Sequence, residues 1–241
     1  MRGKKDGQKK VTIITGGGSG IGLAMARTFA ASGYSVVITG RDAKRLQKAA
    51  STISDDKKQV ACIPCDVRDP ASVKKLFREV GKQHSRIDVL INNAGVAHAL
   101  APVDELPVET WKEVIDTNLT GTFLVTRAAL PMMGAGGTVV NNLSVAALQP
   151  FAGMAAYNAS KFGALGFTHA LREDLRKRGI RVLALLPGAT DTDIWSQFWK
   201  DAPKEKMISA ETVAQAVLHA VSAPANTAIE EIRIGPAAGV L

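Results

Sequence analysis

The 241-residue chain is 46% hydrophobic and 22% charged, which fits a folded protein with a sizeable core and excludes a largely disordered one. Half of its net charge of +8 lies in the first ten residues, where Arg2, Lys4, Lys5, Lys9 and Lys10 outnumber Asp6; elsewhere acids and bases are interspersed, so neither a nucleic-acid nor a membrane contact is expected. No apolar run approaches the ~20 residues of a membrane span, and none follows the basic tail as a secretory signal requires. Residues 1–9 read as a flexible basic tail and 10–241 as a single domain, because no Pro/Gly-rich linker, repeat or low-complexity tract divides them.

Apolar, β-branched runs at 11–15, 34–39, 60–65, 87–91, 138–143, 180–186 and 229–234 predict seven strands. Segments of helical period at 21–31, 43–53, 70–84, 109–130, 154–178 and 211–221 lie between them. Such alternation implies an α/β fold, a parallel sheet with helices on both faces. Right-handed crossovers then leave a doubly wound sheet. Ligands bind such sheets at the carboxyl ends of the strands.

The first strand runs into Thr15-Gly16-Gly17-Gly18-Ser19-Gly20-Ile21-Gly22, which opens a helix. Glycines let backbone approach a pyrophosphate, and a helix N-terminus supplies free N–H groups and a positive dipole. The second strand ends at Gly40-Arg41-Asp42, with Asp42 placed to cap the next helix. In the third strand Cys62 and Cys65 flank Pro64. A redox pair of that spacing opens a helix and a metal site needs more ligands, so free thiols in a cytoplasmic protein are expected. The four histidines, His84, His98, His169 and His219, are scattered without metal-ligand spacing. His98 lies near the expected substrate mouth. Tyr157 and Lys161 stand one turn apart on a predicted helix. A cation held near a phenol favours the phenolate and fits the pair for proton exchange with a substrate oxygen.

At these motifs the chain resembles the short-chain dehydrogenase/reductase family, in its shorter branch, over nearly its whole length. Thr15 to Gly22 resembles the family's cofactor loop, with Gly16, Gly18, Ser19, Gly20, Ile21 and Gly22 against the dinucleotide. Asn92-Asn93-Ala94-Gly95 resembles its N-N-A-G motif, with Asn93, Ala94 and Gly95 lining the cofactor. Asp66-Val67 resembles its adenine-side contact. Pro187-Gly188 with Thr192 resembles its P-G-x-x-x-T motif, facing the carboxamide. Asn118, Ser144, Tyr157 and Lys161 fall where its catalytic tetrad falls, with a 13-residue step from Ser to Tyr. The resemblance implies a Rossmann-type fold and hydride transfer between nicotinamide and a carbonyl or secondary alcohol. Tyr157 is then the general acid/base, lowered in pKa by Lys161, which also binds the nicotinamide ribose. Ser144 steadies the substrate oxygen, and Asn118 holds a water.

Gly40 stands where NAD-specific relatives carry a carboxylate, and Arg41 can grip a phosphate through two parallel hydrogen bonds. NADP(H) is therefore expected over NAD(H), although Asp42 could instead reach the ribose. The aromatic segment 191–199, with Trp195, Phe198 and Trp199, reads either as an apolar lid or as packing against the core or another subunit. No basic residue is evidently placed to clamp a substrate carboxylate, so a largely apolar carbonyl substrate is expected. The chain departs from the similar 3-oxoacyl-carrier-protein reductases at its C-terminus, at Ala135 and at the polar Asn142. Helices 109–130 and 154–178 carry apolar and small residues on several faces, which suggests a homodimer or homotetramer. The alternative is a non-catalytic NADP(H)-binding or redox-sensing protein on the same fold.

Overall fold

A computed structural model describes residues 9–54, 56 and 59–239, so most of the basic tail lies outside the described residues. Strands β1 (Val11–Thr15), β2 (Ser35–Gly40), β3 (Val60–Pro64), β4 (Val89–Asn92), β5 (Thr138–Asn142), β6 (Arg181–Pro187) and β7 (Glu231–Ile234) form one sheet in the order β3-β2-β1-β4-β5-β6-β7. Every pairing is parallel. The chain builds outward from β1 through β2 to β3, then returns to place β4 on the other side of β1. The β1–β4 seam is therefore the topological switch point, where the carboxyl ends of the strands open a crevice.

Helices α1 (Gly20–Ala31), α2 (Ala43–Ile53), α3 (Pro70–Gln83), α4 (Val108–Ile115), α5 (Gly121–Ala129), α6 (Ala155–Arg176) and α7 (Ala210–Val221) cover the sheet. Successive strand residues feed opposite cores, as the two-residue period of a strand demands. Ile14, Ile38, Ile91 and Leu185 pack with Met25 and Phe29 of α1 and Val213 and Val217 of α7. Ile13, Val37, Leu90, Val139 and Val182 pack with Leu76 and Phe77 of α3, Val125 of α5 and Leu171 of α6.

The structure departs from the expected elements in one place that matters. The continuous helix expected over 109–130 is interrupted by a π-helical turn, Asp116–Thr120, between α4 and α5. That turn holds Asn118, whose amide Nδ2 donates to the Val96 carbonyl at 2.9 Å while its Oδ1 accepts from the Val96 N–H at 2.9 Å. The widened turn gives up regular helical hydrogen bonding and replaces it with a pin on the loop after β4.

Two buried amides of the strands, Asn92 and Asn141, bond across layers. Asn92 Nδ2 donates to Thr126 Oγ1 and to Asn141 Oδ1, both at 2.8 Å, and Asn141 Nδ2 donates to Thr168 Oγ1 at 2.9 Å. Buried amides tolerate the interior only when hydrogen-bonded, and here they tie β4 and β5 to α5 and α6.

Gly22 shows how tightly the first turn is built. A Cβ at this position would collide with the Gly16 carbonyl oxygen and the Asn93 side-chain amide. Overpacking of this kind costs about 1–3 kcal/mol. Gly22→Ala is expected to lower the unfolding free energy by that amount, read as a lower urea midpoint with an unchanged slope; an unshifted midpoint would show that the loop relaxes freely.

Candidate active site

A cavity of about 1000 Å³ opens over the carboxyl ends of the central strands. All of the site residues expected from sequence line it except Gly22 and Asn118. Those two act from behind the wall, Gly22 by close packing and Asn118 by holding Val96.

At one end the wall is the glycine loop. Gly16 adopts φ 64°, in the left-handed region that favours glycine. Its turn is braced by Asn93, whose Nδ2 donates to the carbonyls of Thr15 and Gly16 at 2.9 and 3.2 Å. Thr15 Oγ1 in turn accepts from the backbone N–H groups of Asn93 and Ala94, both at 2.9 Å. Ser19 occupies the N-cap of α1 without a side-chain capping bond, so its hydroxyl is left for another partner, beside the free N–H groups of the first turn. This is a built anion cradle, and it fits the phosphates of a dinucleotide.

Arg41 lies at the same end, 53% exposed and 3.6 Å from Glu113. Arg45, in the first turn of α2, also lines the cavity and donates to Asp193 Oδ2 at 3.1 Å. Sequence reasoning missed Arg45, which lies just after the strand end that carries Arg41. Asp42 caps α2 as expected, accepting from the Arg45 N–H at 3.0 Å. Asp66 is held by the Arg68 guanidinium through bonds of 2.7 to 3.1 Å, which keep its carboxyl below the usual range.

Tyr157 and Lys161 occupy the first two turns of α6. The Lys161 Nζ sits 5.5 Å from the centre of the Tyr157 ring and donates to the Asn142 carbonyl at 3.1 Å. Burial disfavours the ammonium and lowers its pKa to about 8. The expectation that Lys161 lowers the Tyr157 pKa is corrected in the protein by itself. Burial raises the phenol's pKa, and the neighbouring Ser144 hydroxyl pulls it back only in part. Ser144 Oγ also accepts from the Ala146 N–H at 3.1 Å, capping the short turn Val145–Ala147. Asn118 Nδ2 reaches Ser160 Oγ at 3.0 Å, and that hydroxyl bonds the Tyr157 carbonyl at 2.7 Å. The Asn118 side chain is thus occupied by protein partners, and it positions rather than lines.

The far wall is the segment after β6. Trp195, Phe198 and Trp199 all line the cavity, which favours the lid reading. Trp195 is 5.1 Å from Phe198 and 6.0 Å from Trp199 between ring centres. Trp195 Nε1 donates to the Thr190 carbonyl at 2.8 Å, and Gln197 Oε1 accepts from the Ala97 N–H at 2.9 Å. Gln197, like Arg233 of β7, lines the cavity and carried no sequence signal. His98 is buried with Nδ1 on the Ala99 carbonyl at 2.7 Å and does not itself line the cavity, although Val96 and Leu100 of the same loop do.

A lysine whose folded pKa lies below its unfolded value penalises the folded state wherever it is charged. The penalty is full below about pH 8 and is relieved as pH rises toward the ordinary lysine value of 10.5. The denaturation midpoint of the native chain, taken relative to Lys161→Met, is therefore expected to rise between pH 8 and 10.5. A flat difference would show that Lys161 is solvated.

A family model for short chain dehydrogenases matches residues 10–203. Sulfoacetaldehyde reductase 2 of Chromohalobacter salexigens is 35% identical over 94% of this chain and 94% of its own length. The alcohol dehydrogenase of the archaeon Thermococcus sibiricus, solved with 5-hydroxy-NADP, superposes with a TM-score of 0.87 at 27% identity, covering 95% of this chain and 97% of that one. The closed form of a serine dehydrogenase with NADP+ does so at 0.87 and 30% identity, covering 96% of both chains. With its seven-stranded parallel sheet and glycine-loop cavity, the chain belongs to the short-chain dehydrogenase/reductase family, whose members are oxidoreductases.

Proposed function

We propose that the protein is an NADP(H)-dependent carbonyl reductase or alcohol dehydrogenase, acting from a single domain that begins at about residue 10. The observation that carries this reading is the convergence of Ser144, Tyr157 and Lys161 on the wall of the cavity that also holds the glycine loop and Arg41. The nicotinamide, when bound, supplies or accepts the hydride.

The chain's own residues manage the rest. Tyr157 hands a proton to the carbonyl oxygen in reduction and takes it back in oxidation. Ser144 donates to the same oxygen and stabilises the charge that develops there. Lys161 holds the nicotinamide ribose, and its ammonium, when charged, draws the phenol toward ionisation. Asn118 fixes Val96 and, through Ser160, the first turn of α6. Gly16, Gly18, Ser19, Gly20 and Ile21 cradle the pyrophosphate, and Gly22 shapes that turn. Arg41 binds the 2′-phosphate, because Gly40 leaves no carboxylate to repel it. Arg45 stands beside it. Asp66 and Val67 lie at the adenine, Asn93, Ala94 and Gly95 along the ribose, and Pro187, Gly188 and Thr192 against the carboxamide. Three aromatic rings of the lid receive the apolar part of the substrate. Exposed apolar side chains on α4, α5 and α6, Trp111 (41%), Phe123 (42%) and Phe162 (44%), support a homodimer or homotetramer.

Tyr157→Phe is expected to lower carbonyl reduction by ~10²-fold or more, the usual worth of a general acid, while leaving NADPH affinity in place. Retained turnover would remove Tyr157 from its role. Because burial keeps the phenol protonated at neutral pH, reduction is expected to be active there and alcohol oxidation to climb toward alkaline pH. Opposite profiles of kcat/KM would reject the acid/base assignment. Arg41→Ala is expected to weaken NADPH binding by roughly tenfold, the worth of a charged hydrogen-bond pair, and NADH hardly at all. Equal losses for both would reject the 2′-phosphate contact.

A further inference from the structure

We propose that Arg233 anchors an anionic group on the substrate, so that the site takes carbonyl compounds bearing a carboxylate or sulfonate remote from the reacting carbon. This inference rests on the carbonyl reduction proposed above and names its substrate class.

Four basic side chains line the cavity, namely Arg41, Arg45, Lys161 and Arg233. Three of them have partners. Arg41 lies 3.6 Å from Glu113, Arg45 3.1 Å from Asp193, and Lys161 bonds the Asn142 carbonyl. Among the described residues the Arg233 side chain has neither an acidic partner nor a hydrogen bond. The lining acids are Asp42, Asp66 and Asp193. Asp42 caps α2, Asp66 is held by Arg68, and Asp193 by Arg45. Among the described residues no acid of the cavity wall is thus left to neutralise Arg233.

Its position separates it from the cofactor's phosphates. Arg233 stands on β7 in register with Leu186 of β6, next to Pro187. The following residue, Ile234, accepts from the Gly188 N–H at 2.7 Å, so the end of β7 is fastened to the strand that carries Pro187 and Gly188. Arg41 follows β2, five strand positions away in the sheet. At a strand spacing of about 4.8 Å, that is roughly 24 Å, too far for both arginines to share one phosphate. From β5, whose end carries Asn142 and holds Lys161, the separation is two strand positions, roughly 10 Å. A flexible arginine reaching inward from there meets the far end of a small substrate whose carbonyl lies at Tyr157.

The surroundings strengthen the attraction. Trp195, Phe198 and Trp199 line the same cavity and bring apolar surface to it, where charges interact more strongly than in open water. A planar guanidinium matches carboxylate or sulfonate oxygens with two parallel hydrogen bonds. The sequence alone suggested a largely apolar substrate, because no basic residue is evidently placed in it to clamp a carboxylate. Only the folded sheet brings β7 to the cavity.

The test uses the full chain with NADPH, a series of keto acids of increasing length, and the methyl ester of each. The native chain is expected to favour the acids in kcat/KM. Arg233→Gln is expected to raise KM for the acids by about tenfold with kcat nearly unchanged, and to leave the esters untouched. Arg233→Lys should recover part of the loss. A second readout needs no turnover: an unreactive alkanesulfonate should perturb tryptophan fluorescence of the native chain and not of Arg233→Gln. Equal effects on acids and esters, or none on either, would overturn the anchor while leaving carbonyl reduction standing. Failure of the native chain to reduce any carbonyl compound would instead overturn the reaction, and the anchor with it.

Discussion

A single relay of hydrogen bonds runs from the glycine loop to the buried lysine, and the cavity depends on it. The Asn93 amide holds the Thr15 and Gly16 carbonyls; its Oδ1 accepts from Asn142 Nδ2 at 2.8 Å; the Asn142 carbonyl accepts from Lys161. Three strand ends and the first turns of α6 are thereby held in one frame. Neither end of the relay can move far without the other, so the glycine loop and the Tyr157–Lys161 pair keep their separation. Preorganisation of this kind is how a site avoids reorganisation during reaction.

The frame explains why burial, more than neighbouring charge, sets the electrostatics here. Lys161 is enclosed by the relay and the residues around it, so its ammonium is costly. The same enclosure keeps the Tyr157 proton in place. Both groups are driven toward their neutral forms. A phenol that retains its proton is suited to giving it up only when a developing oxyanion demands it, which is the direction of carbonyl reduction.

Much of this was legible in the chain. Strands buried on both faces must be nearly continuous runs of Val and Ile, so β1, β2 and β4 stood out with their order of alternation. The glycine loop was legible because its backbone geometry admits few other residues. Cys62 and Cys65, read as ordinary strand residues, are free thiols, the second fully within the core. The π turn at Asn118 was hidden, because nothing in the periodicity of 109–130 distinguishes a widened turn from a regular one; its cause is a distant backbone pair at Val96. Arg45, Gln197 and Arg233 were hidden for a related reason. Each acts through contacts or a shared cavity wall with residues far along the chain, and single-residue chemistry says nothing of who arrives. The direction of the Tyr157 shift was missed because proximity to a cation can be read from spacing and depth of burial cannot.

The sheet is open, and its two free edges differ from its interior. β3 ends in Pro64, which has no N–H to offer a further strand, and β7 is four residues long with Glu231 and Arg233 on its outer stretch. Short, charged or proline-ended edges are poor templates for another chain. The parallel sheet therefore has little tendency to grow by strand addition. A partially unfolded copy meeting a folded one would find no ready ladder to extend, and association is left to the helical faces, where side-chain shape rather than backbone pairing decides what fits.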